Sequence, residues 1–591
     1  MREKGKIIFL IVIVSSVALL GYGLFYFLQY SSDIVVENYT AELFPDGTLK
    51  ETILFEVKTD GKYRMLFRYW DDSVTYNQIT VPTHLNVINV ESPYKSYVKD
   101  YSGNVFSPQN LTSNQKSFIE SKAYNNEIGC YNPNYYNKGY YELKITYQIS
   151  PPILYDNQYY HMNIKLAREH IPYNNVKILI NDPSKDILKI FLHPPMDTTK
   201  TNSQYIMTAK SPSNSLIEFE VISKNISFGV KEYVNDVYNK TISANNNYNL
   251  AFTLFSALYY ILLILIFGFG VIIIFLYYFK GREKDYFIPE YLNFIPKSRK
   301  PWLVNLVFDK SEITIDENAF YATLLDLHNR KIIKLNAENK QLIINIVDKT
   351  NEKLDEYESK VLSFLKKWST NNVFNAKEFE KNISERIYDY SDMRFISKQL
   401  SELTKKIDDS ISYQFIISGR KIPSLIGTAG LFFSFLILII LLTWGSAYPN
   451  IFPVTVFGFI FSIQAFIVTA ARPTLLGRWK DEYYKEKLEW DAFRKFLSDM
   501  AQLKKYELQD IAMWKEWLVY GTSLGVGKKV AKALKQLNIS IHEADLVPVM
   551  FTSFHSVNLA ILSSGRSSGG MGHGGGFGGG GGFGGGGAGG R

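Results

Sequence analysis

Four stretches of the chain carry no charged side chain: Ile7 to Leu28, Leu250 to Phe279, Ile422 to Thr443 and Ile451 to Ala471. An α-helix needs roughly 20 residues to cross a hydrocarbon core about 30 Å thick, and each stretch supplies them. Buried helices of water-soluble proteins are rarely so long and so free of charge, so a multi-pass membrane protein with four transmembrane α-helices is expected. Average composition hides this: 46% hydrophobic and 21% charged residues look globular. At 591 residues the chain also exceeds one ordinary domain.

The first stretch follows Arg2, Lys4 and Lys6, and no Ala-x-Ala cleavage site comes after it. It reads as an uncleaved signal anchor over residues 1–30. Lys280, Arg282 and Lys284 follow the second stretch, Arg420 and Lys421 precede the third, and Arg472, Arg478 and Lys480 follow the fourth. Basic flanks stay on the cytoplasmic side. Both termini are therefore expected inside, with residues 31–249 exported. The spans fall at 7–28, 250–279, 422–443 and 451–471, joined by a short outer loop at 444–450. Cytoplasmic regions occupy 280–421 and 472–564, followed by a glycine-rich tail at 565–591. The net charge of +8 lies in the inner parts, where the topology signal accounts for much of it.

Within the exported segment the pattern has period two. Residues 34–57 alternate apolar and polar side chains around Pro45-Asp46-Gly47, a turn between two strands. Tyr140 to Tyr147, Val176 to Ile180 and Ser215 to Ile222 alternate in the same way, and Asn-, Ser- and Pro-rich loops separate them. An all-β, sandwich-like domain is expected. Cys130, the one cysteine, cannot form an internal disulfide and is expected to be buried or simply free. His84, His161, His170 and His193 lack metal-site spacing, so neither metal nor cofactor is expected. Sequons at Asn38, Asn110, Asn225 and Asn239 occur about as often as so Asn-rich a segment produces by chance.

Among the inner segments, 312–348 has the outline of a winged helix. Ala322 to Leu327 forms an apolar helix face ending at His328-Asn329-Arg330, and Lys331 to Leu335 pairs with Gln341 to Val347. That helix carries Asp326 and a single arginine, which suits packing or protein contact better than phosphates and base edges, so no specific nucleic-acid binding is expected. Trp490, Phe493, Leu497 and Met500 repeat at helical spacing and read as a core face. Trp490, Phe493 and Leu497, with the tail residues Phe577 and Phe583, are the candidate interaction side chains. Gly521 to Lys529 departs from a P-loop at Thr522 and Lys529. His542-Glu543 lacks the second zincin histidine, since Leu546 stands there. No catalytic signature remains, and the protein is expected not to be an enzyme.

Several segments together resemble a known family. Tyr39-Thr40-Ala41, Pro45 to Leu49 and Tyr141 to Tyr147 are similar to the exported domain of the YciQ-like predicted membrane proteins (domain of unknown function 2207), with His161-Met162-Asn163 where the family has Trp-Asn. Leu324, Leu327, Arg330 and Ile333, then Trp490 to Leu497, Trp517 to Gly521 and Leu524 to Val530, are similar to segments of its C-terminal half. The resemblance implies the architecture read above, a glycine-rich end, and no assigned activity.

The tail 565–591 has no strand before it and no helix after it, as a phosphate loop would need. It is expected to be disordered, with Phe577 and Phe583 as weak points of self-association. The function expected is that of a non-enzymatic envelope scaffold or signal relay in the bilayer, contacting protein partners through its exported domain. Alternatives are a membrane-tethered regulator using the winged unit and a transporter-associated component. The spans offer only Gln464 as a notable polar group, where ion pathways need ionisable ones.

Overall fold

The computed structural model describes residues 3–78, 84–309, 314–338, 341–347, 352–385, 390–404, 409–445, 447–499, 511–537, 539–563 and 585–591. The chain divides into two compact units. One comprises Met1–Val12, Gly270–Leu425 and Ala465–Gly574; the other comprises Ile13–Phe269, Ile426–Gln464 and Gly575–Arg591.

All four apolar stretches are helices long enough to cross a membrane: Lys4–Gln29, Val237–Gly281, Lys421–Trp444 and Ile451–Ala470. The second runs well beyond its apolar block, because its first turns carry Thr241 and Asn245 and pack on a sheet. Small residues let the helices of the second unit approach closely. A methyl group on Gly430 would press on Ser462, and one on Gly458 would meet Ser434. Gln464 donates to the carbonyls of Val14 (3.0 Å) and Ile266 (3.1 Å), tying three helices together.

The N-terminal region, residues 34–233, is sheet-rich. Its hairpin pairs Ile34–Leu43 with Thr48–Val57 in antiparallel register, from Ile34 opposite Val57 to Leu43 opposite Leu49. Gly47 turns it at φ +82°, and Asp46 accepts the Thr48 N–H at 2.9 Å. Tyr173–Asn181 joins the first strand in parallel and Gly139–Ile149 the second antiparallel, at the centre of an eight-stranded sheet. A second sheet orders Ile187–His193, Ile217–Ser223, Tyr160–Ala167, Pro152–Tyr155 and Val230–Tyr233. Alternating side chains put Ile53, Phe55, Tyr147, Ile164 and Phe219 into one core. The domain is not all-β: Ser113–Lys122 is a helix, begun by a capping box between Thr112 and Gln115. Cys130 is buried against the Tyr136 hydroxyl, and burial pushes its thiol up to about 11.

A third sheet corrects the expectation of a wholly disordered tail. Its order is Gly587–Gly590, Met65–Tyr69, Glu127–Tyr131, Lys95–Lys99 and Val105–Phe106, so the end of the chain is a strand of this domain. Glycine has no side chain to betray a strand by periodicity, yet its backbone pairs like any other. Phe577 and Phe583 lie outside the described residues.

In the other unit, Glu317–Asn329 is a helix and Ile333–Glu338 pairs antiparallel with Gln341–Ile346, with Glu338 opposite Gln341. The first strand therefore runs on past Leu335 to Glu338, and a third strand, Val373–Asn375, extends the sheet. Arg330, the basic residue of the helix end, bonds Asp326 (3.0 Å), Glu352 (2.6 Å) and Glu358 (2.6 Å). Trp490, Phe493 and Leu497 are fully buried on the helix Tyr483–Ser498. They are core rather than contact residues, because helical spacing turns all three toward Phe308, Trp517 and Val530. Met500 lies outside the described residues.

Candidate functional site: a groove for a glycine strand

The site starts from a buried charge. Thr48–Val57 points Glu51 into the core and Met65–Tyr69 points Arg68 at it; both side chains are fully buried, with Arg68 Nε 3.2 Å from each carboxylate oxygen. Tyr39 and Tyr147 donate their hydroxyls to the same carboxylate, at 2.5 and 2.9 Å. The Arg68 guanidinium lies 3.7 Å from the Trp70 ring centre, and its remaining N–H groups reach the carbonyls of Tyr69, Leu166 (2.5 Å) and Gly585 (3.3 Å). Burial opposes the charge on Arg68, but Glu51 and the surrounding tyrosines outweigh it and raise its pKa. Such a hub makes one wall of the groove rigid.

Gly587–Gly590 lies along that wall, antiparallel to Met65–Tyr69, with Gly587 opposite Tyr69 and Gly590 opposite Leu66. Its other edge is paired too. The Gly586 carbonyl accepts from Arg168 (2.8 Å) and Glu169 (3.3 Å), and the Ala588 carbonyl from Ile171 (3.2 Å); Gly585 donates to Lys165 (3.0 Å). Ala588 N–H donates to the Tyr173 hydroxyl at 3.0 Å. A strand bonded on both edges is inserted, not laid against an exposed margin. The slot admits backbone only. Gly586 has φ +80°, and a Cβ there would collide with the Tyr69 carbonyl; a Cβ on Gly587 would collide with the Glu169 carbonyl. Ala588 has the one methyl of the strand, and it is buried in the domain core.

Arg591 closes the strand. Its backbone carbonyl accepts from Arg64 (2.7 Å) and Met65 (2.8 Å), and its N–H donates to Met65 (3.0 Å). Its guanidinium lies 4.2 Å from the ring centres of both Phe67 and Tyr124, bonds the Lys122 carbonyl, and pairs with Glu127 at 2.6 Å. Glu127 is fully buried and also accepts from the Tyr97 hydroxyl (2.6 Å) and the Tyr124 N–H (3.0 Å). Burial raises its carboxyl above the usual range; Arg591, Tyr97 and Tyr124 pull the other way. A cavity of about 760 Å³ borders the strand, lined by Phe67, Tyr69, Trp70, Tyr124, Glu169 and Ala588 among others.

A second polar cluster lies on the strands Ile187–His193 and Ile217–Ser223, beside Asn245 of the second long helix. His193 Nδ1 lies 2.8 Å from Glu218 and 3.8 Å from Glu220, and His161 lies 3.0 Å from Glu220. Asn245 donates to Glu220 (2.9 Å) and to the Thr241 carbonyl (3.0 Å), so its carbonyl oxygen faces His193 Nε2 at 2.8 Å. Both ring nitrogens therefore face acceptors, Nε2 the Asn245 carbonyl oxygen and Nδ1 the Glu218 carboxylate, which favours the imidazolium with a proton on each. Burial lowers the His193 pKa, but Glu218 and Glu220 outweigh it and raise it. His193, Glu218 and Glu220 could hold a metal ion. Sequence spacing missed them because they come from two separate strands, seen together only through the register that sets His193 opposite Glu218.

Neither site was legible as a motif. Tyr39, Glu51 and Tyr147 were expected only as strand residues, and Tyr173 fell outside the expected strand Val176 to Ile180. Strand pairing also requires 585–591 to share a compartment with Met65–Tyr69, whereas the basic-flank rule puts 472–591 inside and 31–249 outside. For the end of the chain these two expectations exclude each other.

A sheet-rich domain attached to four apolar helices, with a mainly helical remainder, defines a membrane-anchored protein with a folded extramembrane domain. The chain belongs to the DUF2207 family of predicted membrane proteins: its N-terminal domain matches residues 35–223 and its C-terminal domain residues 288–534. No curated protein matches. Among solved structures, an M1 zinc metallopeptidase from Deinococcus radiodurans is 10% identical at a TM-score of 0.19, covering 33% of this chain and 43% of that one. A putative protease from Parabacteroides distasonis ATCC 8503 is 15% identical at a TM-score of 0.20, covering 33% and 41%. This chain thus spans under half the length of either, and likeness at that level carries no argument about fold or chemistry.

Proposed function

We propose that the protein is a non-enzymatic envelope interaction protein, a scaffold or signal relay, whose exported domain works by taking up a glycine-rich strand. The observation that carries this reading is the strand bonded along both edges, with a carbonyl wall that excludes any Cβ at Gly586 and Gly587. Main-chain bonds supply affinity in such strand addition, and pockets at alternate positions supply selectivity. The reading places the groove and its strand on the exported side of the membrane, and it needs neither cofactor nor catalytic group. The fully engaged Arg330 and the buried Trp490 stripe argue against the inner unit as a nucleic-acid reader.

Photo-crosslinking in intact cells tests it. A benzophenone side chain at Tyr124, beside the groove, should capture a glycine-rich peptide, identified by mass spectrometry as residues 585–591. Absence of any strand peptide among the crosslinks, with the protein present at normal level, would sink the proposal.

A further inference from the structure

We infer that the groove reads two features of its ligand, a backbone without side chains and a guanidinium at the end of the strand. The inference rests on the strand-accepting function proposed above and names the ligand class: an extended Gly-Gly-Gly-Ala-Gly-Gly-Arg segment, of which residues 585–591 of this chain are the example.

The two readings come from different atoms. The backbone slot is made by the Tyr69 and Glu169 carbonyls, which stand where Cβ atoms would be at Gly586 and Gly587. The Tyr69 carbonyl cannot move freely, because Tyr69 belongs to a paired strand and the neighbouring Arg68 is locked on Glu51. The guanidinium pocket is a corner formed by Phe67 and Tyr124, whose rings meet edge to face with centres 6.1 Å apart and each 4.2 Å from the guanidinium, with Glu127 pairing to it at 2.6 Å. A planar cation lodged in an aromatic corner and paired with a carboxylate combines cation–π attraction with a charge-assisted hydrogen bond. An ammonium would keep the charge and lose the planar fork.

Glu127 makes this a built pocket. It is fully buried, held by the Tyr97 hydroxyl and the Tyr124 N–H, and among the described residues its charged partner is Arg591. A buried carboxylate without a cation is costly, so the domain is organised for a positive side chain to arrive. Arg591 comes from the far end of the sequence, so the pocket is satisfied by a segment that can leave without unravelling the neighbouring strands.

The test uses the full chain lacking residues 585–591, in nanodiscs, and a fluorescein-labelled peptide of that sequence read by anisotropy. The parent peptide should bind saturably. Arg591→Ala in the peptide should lose at least about tenfold in affinity, with Arg591→Lys between the two. Gly587→Val should not bind. In a Glu127→Gln receptor the preference for the parent over the Arg591→Ala peptide should shrink, a coupling that a purely structural role for Glu127 would not produce. Because the decisive changes are in the peptide, a poorly folding receptor variant does not blunt the test. Equal affinity of parent and Arg591→Ala peptides would overturn the guanidinium reading while leaving strand uptake standing. Equal binding of Gly587→Val would overturn the backbone slot. No binding of the parent to a receptor with intact thermal unfolding would overturn both this inference and the function it rests on.

Discussion

Glu51 and Glu127 are both fully buried carboxylates in one domain, and they are satisfied in opposite ways. Glu51 meets Arg68 from a strand a few residues away, with Tyr39 and Tyr147 completing its shell. Glu127 meets Arg591, which arrives on the last strand of the chain. Nearby partners fold together with the domain, so the first pair belongs to its core. A remote partner can come and go, so the second behaves as a binding site. The difference lies in where the cation is encoded, since the two carboxylates are equally buried.

The sharpest way to break the comparison is to remove the cation at the first site. Arg68→Met leaves Glu51 buried without its partner and strips the groove wall of its anchor. Uncompensated buried charge costs about 3–5 kcal/mol. Thermal and denaturant unfolding of the full chain in detergent should show the sheet-rich domain destabilised by that order. Deleting 585–591 should cost less, because the two strands flanking Glu127, Met65–Tyr69 and Lys95–Lys99, remain paired to its own. Equal losses from the two changes would erase the distinction between core and ligand site.

Acidification sharpens it next. Burial raises the Glu127 carboxyl, and Arg591 lowers it when the strand is in place. Without the strand the carboxyl therefore holds its proton more tightly, and binding releases that proton. Affinity for the strand should be full at neutral pH and fall as pH drops through the carboxyl range of the empty groove. Anisotropy titrations from pH 4 to pH 8 measure this, and the Glu127→Gln receptor should give a flat profile. A parent profile equally flat would mean that Glu127 does not feel the guanidinium.

His193 provides the contrast in sign. Its folded pKa is raised by Glu218 and Glu220 despite burial. A raised imidazole contributes stability below its unfolded value, near 6.5, and that contribution is lost as pH rises through the folded value. The sheet-rich domain's Tm should therefore drift downward from pH 6 toward pH 9, and His193→Asn should remove the drift.

Some of this architecture could be read from residues and some could not. Charge-free stretches announced the four helices, and Pro45-Asp46-Gly47 announced the hairpin, because solvent and turn geometry act locally on neighbouring side chains. The helix Ser113–Lys122 was missed: it buries only Ile119 among its residues and so has no apolar stripe to see. Trp490, Phe493 and Leu497 were visible as a stripe, and the stripe proved to be core. The groove left no trace in the sequence. Phe67, Tyr124, Glu127 and Arg591 have no common spacing, and a run of glycine carries no pattern that distinguishes a strand from a loose end. What selects the glycines is the wall they lie against, and that wall exists only once the sheets are assembled.

The smallest effect concerns a polar group inside the helix bundle whose amide N–H groups are paired while its buried Oε1 has no partner. Gln464 has no charge to compensate, and its amide donates to carbonyls of two other helices, at Val14 and Ile266. Those carbonyls already take part in their own helices, so Gln464 adds a second bond to each and supplies no missing one. Interhelical bonds of this kind contribute about 0.6 kcal/mol on average and rarely more than about 1.7. Gln464→Leu should therefore keep the protein inserted and fold it normally, lowering the detergent unfolding midpoint only slightly. It should leave strand affinity at the groove unchanged, since Glu127 and its partners share no bond with the helix Ile451–Ala470. A drop in peptide affinity as large as that of Arg591→Ala would mean that bundle packing sets the groove. The distinction between a core carboxylate and a ligand carboxylate would then have to include the membrane helices.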